Sequence, residues 1–318
     1  MSIVDERVRD LHDAVALGQA LVHNLEQVVL GNRGALVAAA VAALSGGHLL
    51  IEDVPGVGKT VLARTLATSL GADLSRVQGH PDLLPSDITG VSVFMPDTAT
   101  WDFRPGPVFA HVVLVDELNR TPPRTQSALL ETMEERQVSV DGQSWPLPQP
   151  HLVIATQNPH SQLGTFPLVE SQLDRFALCT PLGYPDAATE TQLALRAGGR
   201  AALADLQAVC SVDTWSRAIA ATRAIHVATP VAEYAVALCR ATRQAPPVRL
   251  GASPRASITL VRSAQAHALL YGREYVSPVD VQAMAVASLA HRLVTDGDSQ
   301  AGAAVVTEVL RTTPAPRP

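Results

Sequence analysis

The sequence predicts an α/β fold, a parallel sheet covered by helices on both faces, followed by a smaller all-helical domain. Three short apolar runs carry the first part: "HLLIED" (48–53), "HVVLVDE" (111–117) and "HLVIATQNP" (151–159). None alternates polar with apolar residues, which is the pattern of strands buried on both faces. Helical periodicity lies between them. Leu62, Leu66 and Leu70 recur every fourth residue, with Gly71 where a C-capping glycine is expected, and 126–137 places Leu129, Leu130 and Met133 on one face. After about residue 180 the chain changes character: "TPLGYPD" reads as a connection, and no later run resembles a buried strand. Helix starts follow at Asp213, at Thr229-Pro230 and at Ser277-Pro278-x-Asp280. The expected division is an α/β unit over 1–183, a helical domain over 184–296, and a segment over 297–318 ending in a loose "TTPAPRP".

Composition narrows the function classes. With 47% hydrophobic and 17% charged residues, the 318-residue chain can bury a large core and is not a disordered type. Its net charge of −6 argues against a protein that coats nucleic acid. Cys179, Cys210 and Cys239 are too far apart for a metal site or a disulfide framework, so free thiols in a reducing compartment are expected. The ten histidines lack metal-ligand spacing. The start "MSIVDERVRD" is charged where a signal sequence needs an apolar core. The longest uncharged run, 34–51, is broken by "SGGH" and reads as helix, turn, strand, so no membrane insertion and a cytoplasmic location are expected.

The chemistry begins at "LLIEDVPGVGKT" (49–60). Glycines at 56 and 58 let backbone N–H groups point inward at phosphate oxygens, and the following helix start adds partial positive charge. Lys59 is placed to reach β- and γ-phosphates and the Thr60 hydroxyl to ligate Mg²⁺. Pro55, Gly56, Val57, Gly58, Lys59, Thr60 and Val61 are the expected phosphate cradle. The strict pattern wants glycine at position 53, and this chain has Asp53. Lys59 is also its only lysine, in a chain that otherwise uses arginine.

The second apolar run delivers Asp116 and Glu117 to the mouth of the sheet, Asp116 for Mg²⁺ and Glu117 to orient or deprotonate water. The third ends in "ATQNP", where Asn158 can reach the γ-phosphate or that water. Arg175 in "SQLDRF" and Arg255 in "GASPRAS" complete the candidates, although singly each is as readily an ordinary surface arginine.

Together these features resemble the AAA+ ATPases and, more narrowly, the MoxR family. The similar wording also includes "PDLLPSDITG", "FRPGPVFAHVVLVDELNRTPPRTQSALLETMEERQVSVDG" and "LVESQLDRF", and spans roughly residues 25–295. The resemblance implies a P-loop NTPase core with a helical lid. Residues 53–60 would be Walker A, Asp116 and Glu117 Walker B, and Asn158 sensor 1. Arg175 would be the arginine finger acting on ATP in the neighbouring subunit, and Arg255 the sensor 2 residue reaching from the lid to the γ-phosphate of its own subunit. Residues 86–107 would form the helix-2 insert and 137–149 the pre-sensor-1 hairpin, where Asp141-Gly142 is independently a tight-turn signal. The implied cofactors are ATP and Mg²⁺. The implied assembly is a homo-oligomer, hexameric in the family, with a partner carrying a von Willebrand factor A domain and a chaperone-like role. Two other readings compete: a nucleic-acid motor of a helix-2-insert lineage, and an ATP-binding switch with little turnover.

Overall fold

The three apolar runs become neighbouring strands of one parallel sheet in the computed structural model, which describes residues 3–159, 164–195, 203–296 and 301–316. They are β1 (Leu49–Glu52), β5 (Val112–Asp116) and β8 (Leu152–Gln157). Two strands the pattern does not announce complete the order β2-β5-β8-β1-β9: β2 (Leu74–Gln78) and β9 (Leu178–Thr180). Both are edges. β2 buries only Val77 and β9 has three residues, so neither leaves an apolar run to read.

Successive residues of each central strand feed opposite cores, as the pleat requires. Leu49, Ile51, Val112, Leu114, Leu152 and Ile154 face one side, against α1 (Ile3–Val28), α2 (Arg33–Ser45) and α3 (Lys59–Ser69). Leu50, Val113, Val115, Val153 and Ala155 face the other, against Leu129, Leu130 and Met133 of α5 (Pro123–Glu135). Gly71 follows α3 with φ +61, the left-handed value that ends a helix.

The helical domain holds the helices Val212–Arg223, Thr229–Thr242, Pro254–Leu270 and Pro278–Leu289. Serines cap three of these helices: Ser211 accepts from Thr214 N at 3.3 Å, Ser253 accepts from Ala256 N at 3.2 Å, and Ser277 N donates to the Asp280 carboxylate at 2.8 Å. A short antiparallel pair, Val248–Leu250 with Val294–Thr295, closes its base. Segment 297–318 contributes a further helix, Ala301–Thr312, which buries Val305, Val306 and Val309. The apolar core runs without a break from α1 and α2 into this domain. The fully enclosed Trp215 seals the junction by donating Nε1–H to Ala43 O at 3.0 Å. Among the described residues no helix is long and apolar enough to cross a membrane.

Two hairpins stand out from the sheet. α4 (Pro85–Thr89) leads into β3 (Gly90–Met95) and β4 (Thr100–Pro105); β6 (Gln137–Val140) and β7 (Gln143–Pro146) turn through Asp141 and Gly142 at φ +52 and +76. Phe103 of the first stacks on Trp145 of the second, with ring centroids 4.6 Å apart and planes 14° apart, so the hairpins touch. Phe94 and Trp101 lie exposed on the first hairpin with centroids 5.4 Å apart.

Three histidines are enclosed among these elements. Burial pushes His48 and His291 down to about 3 and His151 to about 4 from an ordinary 6.5. His48 and His291 are half-buried, but their nitrogens are engaged or covered; His151 Nε2 and His291 Nδ1 have no hydrogen-bond partner to share a proton with. Below pH 6.5 the unfolded chain therefore takes up protons that the folded one refuses. Stability should be full above pH 6.5 and fall towards pH 4, by about 1.4 kcal/mol per pH unit for each histidine. Denaturant midpoints measured at pH 7.5 and 5 should show this; His151→Gln should flatten the slope, and an unchanged slope would reject the assignment for that residue.

Candidate nucleotide-binding site

Strand order builds the site. Because β8 lies between β5 and β1, the segments leaving the C-terminal ends of all three strands converge at one edge of the sheet. Gly56 and Gly58 have φ of +89 and +98 with open space where a Cβ would stand. Only glycine adopts such values without strain, and the turn presents backbone amides to the cleft. Gly58 caps the 11-residue α3 with no side-chain hydrogen bond to its first amides, leaving donors available to an anion.

Lys59 Nζ donates to Asp53 O at 2.6 Å. Burial pulls the ammonium below the ordinary lysine value, while the carboxylates of Asp53, Asp116 and Glu117 oppose that shift. Asp53 lies at the start of the loop, outside the phosphate cradle. Its Oδ1 accepts from Val54 N at 2.8 Å and its Oδ2 from Gly183 N at 2.6 Å.

Asp116 is buried at the end of β5 and is the hub of the acidic side. Its Oδ2 accepts from Thr60 Oγ1 at 3.4 Å and from Arg76 Nε at 2.7 Å; its Oδ1 accepts from Thr156 Oγ1 at 3.4 Å. The Thr156 hydroxyl in turn accepts from Glu117 N at 3.0 Å. Glu117 has φ +57 and ψ +50, an unusual left-handed conformation for a glutamate. Gly79 helps to impose it: Gly79 N donates to Asp116 O at 2.7 Å, and a Cβ on Gly79 would stand 2.2 Å from Glu117 O. Glu117 Oε2 then pairs with Arg120 Nε at 3.1 Å. Asn158 follows β8, its carbonyl accepting from Asn119 Nδ2 at 3.3 Å.

The result is a cleft of about 360 Å³ that brings together Pro55, Gly56, Gly58, Lys59, Thr60, Val61, Asp116, Glu117 and Asn158. Val57 belongs to the loop but packs onto the apolar core beneath it.

Arg175 and Arg255 lie elsewhere. Both pair with Glu134 near the end of α5, Arg175 Nη2 at 3.1 Å and Arg255 Nη2 at 2.6 Å, in a second cleft that Arg136 and Arg262 also line. Arg255 holds the Glu134 carboxyl below the ordinary carboxylate range, with Arg175 adding to the effect. The structure thus places Arg255 at Glu134 and does not bring it to the P-loop of its own chain. The helix Pro254–Leu270 is docked by its first residues: Ser253 Oγ donates to Asp174 at 3.1 Å, and Arg292 pairs with the same carboxylate. That anchor aims Arg255 at Arg175 and away from Lys59.

Arg76, Thr156, Arg120 and Glu134 were not legible as site residues. Thr156 stands inside the quoted "ATQNP", where strand alternation was the only available signal. Arg76 lies on the edge strand that the apolar pattern does not announce, and nothing in the sequence of α5 sets Glu134 apart from Glu135.

Comparison with known proteins agrees with this geometry. Residues 48–178 match the model of the ATPase family associated with various cellular activities, and residues 240–311 match the AAA lid domain. The chain is 45% identical to the protein YeaC of Bacillus subtilis, over 90% of this chain and 88% of that one. It is 38% identical to the Chaperone MoxR1 of Mycobacterium tuberculosis, over 94% and 84% of the two chains. A crystal structure of a protein assigned as an ATPase from Cytophaga hutchinsonii superposes with a TM-score of 0.89 at 31% identity, covering 99% of both chains. An AAA-type nucleotide cleft, a helical lid and full-length similarity to a MoxR chaperone agree: the chain belongs to the MoxR family of AAA+ ATPases.

Proposed function

We propose that the protein hydrolyses Mg-ATP as a ring, on the hexameric plan, and uses the cycle to remodel or activate a client protein in the cytoplasm together with a von Willebrand factor A domain partner. One observation carries the assembly part. The cleft with Lys59, Thr60, Asp116 and Glu117 and the cleft with Arg175 and Arg255 are separate on one chain, which supports an arginine supplied to the phosphates by another copy.

Thr60 Oγ1 and Asp116 Oδ2, 3.4 Å apart, are hard oxygen donors on one side of the cleft, which fits a hydrated Mg²⁺ carried by ATP. When bound, the ion neutralises charge on the β- and γ-phosphates. The chain's own residues do the rest. Loop amides and Lys59 hold the phosphates, Glu117 orients the attacking water and takes its proton, and Asn158 helps to place that water. Arg120 keeps the Glu117 carboxylate from swinging freely. Arg175 and Arg255 of the adjoining copy meet the charge that develops on the transferred phosphoryl group. The touching hairpins, with Phe94 and Trp101 exposed, are the surface that meets the client.

Specific ATPase activity is expected to rise with protein concentration as interfaces form. A chain shown to be monomeric whose specific activity does not change on dilution would overturn the shared site.

A further inference from the structure

The mismatch at Asp53 has a structural consequence that phosphate binding alone does not use. Asp53 is only 9% exposed, and its carboxylate joins two parts of the chain 130 residues apart: Oδ1 accepts from Val54 N in the loop and Oδ2 from Gly183 N in the connection that leads into the helical domain. Its carbonyl holds Lys59 Nζ at 2.6 Å, and its own N–H donates to Gln157 O at 3.1 Å at the end of β8. A glycine at this position would keep the two backbone bonds and lose both carboxylate bonds.

The residue that restrains Lys59 is thus also the residue that restrains Gly183. We propose that Asp53 is a positioning residue that reports phosphate in the loop to the connection over 181–186, by releasing the Gly183 amide when Lys59 leaves the Asp53 carbonyl; this rests on the nucleotide reading of the cleft. The physical reason is electrostatic. Lys59 is the cation facing this carboxylate, and a polyphosphate that draws Lys59 away puts several negative charges beside Asp53. That like-charge repulsion acts on the carboxylate as a whole and pushes it off the Gly183 amide. A neutral side chain of the same shape would accept from Gly183 without responding to phosphate.

The connection offers a local readout, because Pro181 and Pro185 carry no N–H and leave the amides of Leu182, Gly183, Tyr184 and Asp186. Amide hydrogen exchange over 181–186 should be measured by mass spectrometry on the full chain, with and without a saturating non-hydrolysable ATP analogue and Mg²⁺. A fluorescent analogue should report binding separately. In the parent, bound nucleotide should speed exchange there by about tenfold, the scale of a local opening made easier by roughly 1.4 kcal/mol. Asp53→Asn should bind the analogue and show less than about a twofold response, by the loss of charge alone. Asp53→Gly should exchange fast in both conditions.

Bound nucleotide that leaves parental exchange unchanged would sink this proposal alone. An Asp53→Asn response equal to the parent's would do the same, and an Asp53→Asn chain unable to bind would place Asp53 in the phosphate cradle instead. Failure of the parent to bind at all would remove the nucleotide reading and this proposal with it.

Discussion

Arg175→Ala is expected to lower ATP turnover about 10³- to 10⁵-fold while leaving nucleotide binding at the P-loop nearly unchanged, the effect of withdrawing an arginine finger supplied across an interface. The separation of the two clefts makes this prediction sharper than a simple loss of activity. Arg175 is paired with Glu134, which it shares with Arg255, away from Lys59, so its removal should not disturb the cleft of its own chain. A mixing experiment reads the difference. Lys59→Ala chains lack the phosphate lysine but keep their arginines; Arg175→Ala chains have the reverse defect. Each should be inactive alone. Mixed in equal amounts, about a quarter of the interfaces of a head-to-tail ring would join an intact cleft to an intact Arg175. Recovery of turnover on mixing, read as phosphate release, is the expected result. A mixture no more active than the sum of its parts would rule out a finger in trans.

The second large effect concerns Glu117. Glu117→Gln keeps the size of the side chain and its capacity to contact Arg120, but removes the base. Turnover should fall about 10²- to 10⁴-fold, the range for losing a positioned general base. Equilibrium binding of ATP should persist, because the loop amides, Lys59 and Thr60 remain. Unchanged turnover would favour the reading of a nucleotide-gated switch over that of a motor. The left-handed backbone at Glu117, held against Gly79 and the Thr156 hydroxyl, indicates that its position is enforced by the surrounding structure.

Much of this is legible in the sequence. Buried strands need uninterrupted apolar runs, so the three central strands could be read directly, and with them the polar residues, Asp116, Glu117 and Asn158 among them, that stand at or just after their C-terminal ends. The phosphate loop is local chemistry: its glycines, Lys59 and Thr60 act through backbone geometry set over a few residues. Edge strands β2 and β9 were not legible, because an edge needs no apolar run, and Arg76 was lost along with β2. The helix Ala301–Thr312 was passed over since its apolar stripe, Val305, Val306 and Val309, is short and its partners lie in distant helices.

Arg255 marks the boundary between the two kinds of knowledge. Its motif and its place near the start of a helix were visible in "GASPRAS", but the phosphate it can reach depends on where that helix docks. Docking is decided by Asp174, Ser253 and Arg292, residues from three separated segments. Asp53 is the complementary case: an apparent defect in a local motif became intelligible only when the fold brought Gly183 to its carboxylate. The sequence by itself determined the chemistry available at each strand end, because that chemistry follows from residue type and short-range backbone geometry. Only the tertiary structure decided which of those groups face one another, because contacts between segments more than a hundred residues apart follow from packing and strand order, which no local pattern encodes.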